Sequence, residues 1–179
     1  MRTRQLFQSV EDRGHTLVVP ILCNDNDAWL GKGYYFWDSE IVDAHWWGQT
    51  HYNNHYVIYK SEYDYDSLYF LDLLGNTEHR KYFFIFAQAL MEKKQKNYSV
   101  GETIEILKRV DVTFNKSYKA IRALPENMNN KTFRVYFDDN ERFFLSNRTR
   151  IQMCVIDTCF LLDEKFVPVY SSSNDIAVV

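Results

Sequence analysis

Strand-like stretches, then helical ones, then strand-like ones again predict an α+β domain in this chain. Three observations carry that expectation. Apolar residues recur at helical spacing most extensively in the middle of the sequence, and β-branched and aromatic runs bracket that stretch on both sides. Aromatic residues also make up 17% of the chain, a composition that favours strands and supplies flat faces for stacking. The 179 residues are about one domain's worth, enough to bury a core.

Residues 15–22 (HTLVVPIL) read as the first strand, closed by Pro20 and the polar cluster at 24–27. Gly31-Lys32-Gly33 turns the chain into a short aromatic strand over 34–37. Asp38 then has the residue type of a helix N-cap, with Glu40 in the first turn and Ile41, Ala44 and Trp47 as the apolar set of a helix running to about Trp47. Residues 55–63 alternate enough for another strand. The spacing of Tyr82, Ile85, Phe86, Ala89 and Leu90 predicts a helix over 77–94, and Ile104, Ile106 and Leu107 predict a shorter one over 100–110. A third helix is expected over 114–124. TFRVYF, ERFFLS and RIQMCVID follow as three strand-like runs, with Asp138-Asp139-Asn140 as a hairpin turn between the first two.

A hydrophobic content of 46% with 25% charged residues excludes a disordered or collagen-like chain. The N-terminus carries Arg2 and Arg4 without a long apolar run behind them. A Sec leader is therefore not expected, and no segment approaches the roughly 20 apolar residues of a membrane helix. Cys23, Cys154 and Cys159 form an odd set without metal-type spacing, which reads as reduced thiols in a cytoplasm. The net charge of −3 is unevenly spread: residues 1–89 hold 7 Lys/Arg against 12 Asp/Glu, and residues 90–150 hold 13 against 8. A basic second half suits either an anionic partner or a solvated surface. His45, His51 and His55 lack a completing Cys or carboxylate, so no metal is expected.

The segment that carries chemistry is Gly31-Lys32-Gly33-Tyr34-Tyr35-Phe36-Trp37-Asp38, followed after five residues by Ala44-His45-Trp46-Trp47. It resembles the stretch of PARP-like and diphtheria-toxin-like ADP-ribosyltransferases in which Gly-x-Gly-x-Tyr-Phe precedes an Ala-bearing helix. The resemblance implies a single domain over 1–170 with a flexible tail over 171–179. Two packed antiparallel sheets would form a cleft for NAD, with flanking helices. Tyr35 falls on the motif tyrosine that packs beside the nicotinamide ribose, and Trp46 on the ring that stacks against the other nicotinamide face. Gly33, Tyr34 and Ala44 are further motif positions expected at the cofactor. Nicotinamide in NAD is a flat cation, which aromatic faces bind by stacking and by a cation–π term.

The family also carries a His on an earlier strand, usually as His-Gly-Thr or His-Gly-Ser. Arg13-Gly14-His15-Thr16 is similar, but here the Gly precedes His15 and Thr16 stands where Gly is usual. By the resemblance His15 bonds the adenine-side ribose and the Thr16 backbone anchors the carboxamide. The third family position, often Glu, falls on Gln152 in the late strand over 150–156, with Glu141 as the competing candidate. Gln bonds a ribose hydroxyl without charge, which fits mono-transfer better than chain elongation. Arg148 and Arg150 are expected near pyrophosphate or an anionic acceptor.

The implied activity is mono-ADP-ribosyl transfer from NAD to a protein, RNA or DNA acceptor. The chain would then be a cytoplasmic toxin or effector, or one delivered into a target-cell cytoplasm, countered by an antitoxin or immunity protein. No membrane partner is expected. The altered His-Thr order and the uncharged Gln152 keep a second reading open, a binding module for NAD or ADP-ribose on the same fold.

Overall fold

A nine-residue strand that the sequence pattern does not announce organises the molecule. In the computed structural model, which describes residues 1–15, 18–125, 134–136, 144–146, 150–162 and 166–173, β1 spans Thr3–Glu11. Its Leu6, Phe7, Gln8, Ser9 and Val10 are all buried, as expected of a strand covered on both faces. β2 is a two-residue strand, Leu22–Cys23, and β3 spans Gly33–Asp38. The strand expected over 15–22 is thus reduced to its last residue plus Cys23; residues 18–21 are irregular, and Thr16 and Leu17 lie outside the described residues.

Helix α1 (Ile41–His51) follows β3, then β4 (Tyr56–Asp64) and β5 (Phe70–Asp72). Helices α2 (Thr77–Lys94) and α3 (Val100–Val110) stand where the apolar spacing places them. The Asn76 side chain accepts from the N–H groups of Glu78 and His79 at the start of α2. Ser99 and Glu102 form a reciprocal capping box at the start of α3. The third helix is shorter than expected: α4 covers Val112–Ser117, and the chain then becomes strand β6 (Ala120–Ala123). β7 (Arg134–Tyr136) and β8 (Phe144–Ser146) form a two-stranded antiparallel ladder, with the expected Asp138–Asn140 turn outside the described residues. β9 is Gln152–Val155, a 3-10 turn covers Thr158–Phe160, and β10 is Val167–Ser171.

The fold is mixed α+β, a multi-stranded sheet flanked by helices. In place of two packed antiparallel sheets, the described residues form one eight-stranded sheet in the order β10-β4-β1-β3-β9-β6-β5, with β2 beside β3, plus the separate β7–β8 ladder. All pairings in the large sheet are antiparallel except β5 with β6. The register puts Tyr35, Trp37, Gln152 and Cys154 on one face and Phe36, Asp38 and Met153 on the other. Helices α2 to α4 cover one half of the Tyr35 face around Leu30, Ile104, Leu107, Phe114 and Ile121; α1 covers the other half around Phe7, Trp37, Ala44, Tyr56 and Ile58. The opposite face packs Leu6, Phe36, Tyr63 and Phe70 against Phe160 and Phe166 from the segment between β9 and β10.

The C-terminal boundary differs from the expected one. Ser171 is still in β10; the Ser172 N–H donates to the Tyr56 carbonyl at 3.0 Å, and the Ser173 hydroxyl donates to Asp12 at 3.0 Å. Residues 171–173 are therefore pinned to the body of the domain. Among the described residues no helix is long and apolar enough to cross a membrane.

Candidate functional site

The site arises where the sheet parts. β1 pairs with β3 only at Leu6↔Asp38 and Phe7↔Trp37, after which the first residues of β3 pair with β2 instead, at Leu22↔Tyr34 and Cys23↔Gly33. β1 meanwhile stays with β4 through nine consecutive pairs, so a gap opens between β1 and the β2–β3 pair. The Gln8 amide lies in that gap. Its Nε2 donates to the carbonyls of Ile21 at 3.1 Å and Tyr35 at 3.2 Å, and its Oε1 accepts from the Ile21 N–H at 2.8 Å. One side chain thus replaces the backbone ladder that the diverging strands lose.

Beyond Gln8 the gap widens into a cleft of about 580 Å³, within the range of small-molecule sites. Ser9, Val10, Glu11 and Arg13 line one side; Ile21 to Cys23, Asp25 and Asp27 to Trp29 line the other. Tyr35, Phe36, Trp37 and Gln152 line its base, and Trp47 and Tyr52 from the α1 end complete it. The aromatic rings are braced by one another: Trp37 lies 5.9 Å from Trp47, and Trp47 stacks on His51 at 3.7 Å.

Of the residues expected from sequence, Tyr35 and Gln152 meet here. The Tyr35 hydroxyl accepts from the Leu30 N–H and donates to the Gly31 carbonyl, both at 2.8 Å, which fixes the 28–31 wall. Burial pushes its pKa well above the ordinary phenol value, so it stays protonated at any working pH. The Gln152 carboxamide oxygen accepts from the Trp29 indole at 2.6 Å. Cys154, beside Tyr35 on the same face, is a thiol: burial pushes its pKa up to about 12.

Other expected residues stand elsewhere. His15 is exposed on the segment after β1, its Nδ1 3.1 Å from the Arg13 carbonyl, and does not line the cleft. Asp12 holds that segment by accepting the Gly14 N–H at 2.9 Å. Gly33 packs against β9; a Cβ there would sit 2.5 Å from Cys154 Sγ and 2.7 Å from the Val155 carbonyl, so internal packing alone requires a glycine. Gly31, at φ +76°, likewise turns tightly against Glu105 of α3. Tyr34 packs on the opposite face of the sheet, and Ala44 is fully buried on the inner face of α1. Trp46 meets Trp37 edge-on at 6.1 Å and carries the Arg150 guanidinium 3.6 Å above its ring, while Trp47 takes the cleft position. Thr16, Glu141 and Arg148 lie outside the described residues.

Asp38 is no helix cap. Ser39 at φ +70° turns the chain, and α1 starts from Glu40 without a side-chain cap. Asp38 instead sits buried on the face opposite the cleft. There it accepts from Arg122 Nε at 2.6 Å and the Tyr63 hydroxyl at 3.0 Å. Arg122 also reaches Asp72 at 3.2 Å, and Arg4 stands 3.7 Å from Asp38. Burial disfavours the Arg122 charge, but Asp38 and Asp72 more than offset that and hold its pKa above the usual value.

The sequence reading missed Gln8, Ser9, Trp29, Trp37, Trp47 and Tyr52. The available signal was Gln8-Ser9 itself, two polar residues inside the apolar run Leu6-Phe7-Gln8-Ser9-Val10. Chemically the cleft offers stacked rings, a carboxamide and a rim bearing Glu11, Asp25 and Asp27. Arg13 is the rim's cation, already 2.8 Å from Glu11. No group of three metal-ligating side chains occurs among the described residues. No family model matches the chain, and neither a curated protein nor a solved structure does.

Proposed function

We propose that the cleft takes the nicotinamide end of NAD and that the chain is a mono-ADP-ribosyltransferase of the PARP-like and diphtheria-toxin-like kind. The observation that supports this most is the meeting of Tyr35 and Gln152, chosen from separate stretches of sequence, at the base of one aromatic cleft. In this reading Trp37 and Trp47 face the nicotinamide ring and Gln152 bonds the ribose 2′-hydroxyl. Arg13 and His15 on the segment after β1 meet the ribose and pyrophosphate, with Thr16 and Arg148 as further contacts. Scission leaves the electron pair of the glycosidic C–N bond on nicotinamide, which departs neutral. Positive charge builds on the ribose until an acceptor nucleophile closes the new bond. The acceptor is a protein or a nucleic acid, and a cytoplasmic toxin or effector role with a cognate antitoxin or immunity protein fits such chemistry.

A second reading, a module that binds NAD or ADP-ribose without cleaving it, is favoured by one observation. The Tyr35 hydroxyl and the Gln152 oxygen are both engaged by the chain's own groups, and among the described residues no carboxylate stands at the base of the cleft.

The test is to incubate the protein with NAD labelled on its adenine side and measure free nicotinamide, with Trp37→Ala and His15→Ala alongside. Release by wild type and loss in Trp37→Ala, with circular dichroism unchanged, supports cleavage in this cleft. The label's destination then separates protein, nucleic acid and water as acceptor. Retention of intact NAD, with cell lysate present, overturns the transferase reading in favour of the module.

A further inference from the structure

Helix α2 is apolar on two sides. Phe83 and Ala87 face the core, and the side opposite them is expected to be polar in a helix that packs on one face only. Lys81, Gln88 and Glu92 follow that rule. Phe84 and Ile85 break it, at 60% and 59% exposed, and Ala89 is exposed beside them. Next to Phe84 an apolar groove of about 360 Å³ runs between α2 and α3, lined by Phe83, Ala87 and Met91 on one wall and Tyr98, Val100 and Thr103 on the other. No residue of α2 or α3 lines the cleft described above. A helix with apolar middle turns on both sides has two faces to cover, and the core covers one.

The charges of the outward face say what covers the other. Lys81 and Glu92 are exposed, and Glu92 accepts from Gln88 Nε2 at 2.9 Å. The two stand about three turns apart on one line of the helix, roughly 16 Å along its axis. A cation thus closes one end of the exposed apolar stretch and an anion closes the other. Such a face is complementary to itself when run antiparallel. A two-fold axis through the middle of α2 sets Lys81 against the partner's Glu92 at both ends of the seam. It also keeps Phe84 and the groove on the same side, so each Phe84 is laid toward the partner's Gln88 and the partner's Met91 at the mouth of the groove. Each Ile85 is laid toward the partner's Ala89. We infer that α2 is a self-association face, and that its occupant is α2 of a second copy of this chain, packed antiparallel. The inference is independent of what the cleft binds.

The experiment is sedimentation velocity of the full chain from about 1 μM to about 1 mM, at low and high salt. Wild type is expected to show a monomer–dimer equilibrium that weakens as salt screens the end pairs. Phe84→Ser is expected to weaken the dimer about a hundredfold, because a two-fold interface loses the ring twice. Lys81→Glu and Glu92→Lys each set like charges against one another at both ends, for a loss of about tenfold. The double variant is expected to regain the wild-type affinity. A mixture of the two single variants is expected to form mixed dimers in preference to either variant alone, since one copy then supplies two anions and the other two cations. Circular dichroism and melting check the fold of each variant, and Ile85→Ser replaces Phe84→Ser if that variant does not fold.

A wild type that stays monomeric throughout overturns the inference and gives the face to a different partner. Undiminished association of folded Phe84→Ser overturns it as well. Single charge variants that dimerise as tightly as wild type, or a mixture with no preference for mixed dimers, overturn the antiparallel pairing on which it stands.

Discussion

The two faces of β3 are built on opposite plans. On one, Tyr35 and Trp37 look into a cleft walled by rings and neutral amides, and the carboxylates stay on its rim. On the other, Asp38 is sealed from water with Arg122 and Asp72 in a compensated cluster among Tyr63 and the Phe36 core. Charge is enclosed where it joins strands and kept out of the space left open. The comparison separates two reasons for a polar residue in a sheet interior. Asp38 is satisfied by the protein itself, whereas the Ser9 hydroxyl, like that of Ser61, has no partner among the described residues.

The sharpest way to break the closed face is Arg122→Leu. It leaves Asp38 and Asp72 buried without their cation and is expected to cost about 3–5 kcal/mol in urea unfolding. A loss below about 1 kcal/mol would falsify the view that this cluster joins β3, β5 and β6. On the open face, Tyr35→Phe strips the Leu30 N–H and Gly31 carbonyl of their shared partner. A loss of about 1–3 kcal/mol is expected in the same unfolding measurement, because the wall at 28–31 is no longer held. A loss below about 0.5 kcal/mol would show that these two bonds do not hold the wall. Trp29→Phe keeps an aromatic ring but removes the indole N–H that bonds Gln152, and the lost bond is expected to cost about 0.5–1.5 kcal/mol by the same unfolding measurement, with lost packing added to it.

The smallest effect is a pH dependence at the margin of the closed face. Burial holds the His79 pKa below its ordinary value, with Asp72 pulling the other way, and its Nδ1 accepts the Asp72 N–H at 3.0 Å. A depressed histidine binds fewer protons folded than unfolded. Its contribution is therefore complete above the unfolded value near 6.5 and is lost as the pH falls from there through the folded value. His45, also lowered by burial, adds a term of the same sign. Stability measured from pH 7.5 to 5 should decline, and His79→Gln should flatten the decline. An identical slope in that variant assigns the effect elsewhere.

The sequence was most legible where local chemistry decides structure. Helices α2 and α3 follow from apolar spacing, and both carry side-chain caps. β3, β4 and β9 follow from aromatic and β-branched runs. The misreadings share a different cause. Phe114, Tyr118 and Ile121 fall at helical spacing, yet β6 forms because Phe70–Asp72 offers a distant parallel partner. β1 was hidden because a strand covered on both faces has no alternation to show. Asp38 has the residue type of a cap, and only the turn at Ser39 and the remote Arg122 decide otherwise. Tyr35 was named from a local motif and Gln152 from its place in the late strand, and both line the cleft. Ser9 was not named, since its neighbours in the cleft come from distant stretches of the chain.

The amide of Gln8 makes the aperture of the cleft and the alignment of the sheet a single quantity. Sliding β1 by two residues keeps its facing but puts Leu6 or Val10 where Gln8 bridges Tyr35 and Ile21, and neither can make those three bonds. A slip of one exchanges the two faces outright. The mouth is therefore gauged by the span of one glutamine side chain, and its width is inherited from strand pairing, not from the loops around it.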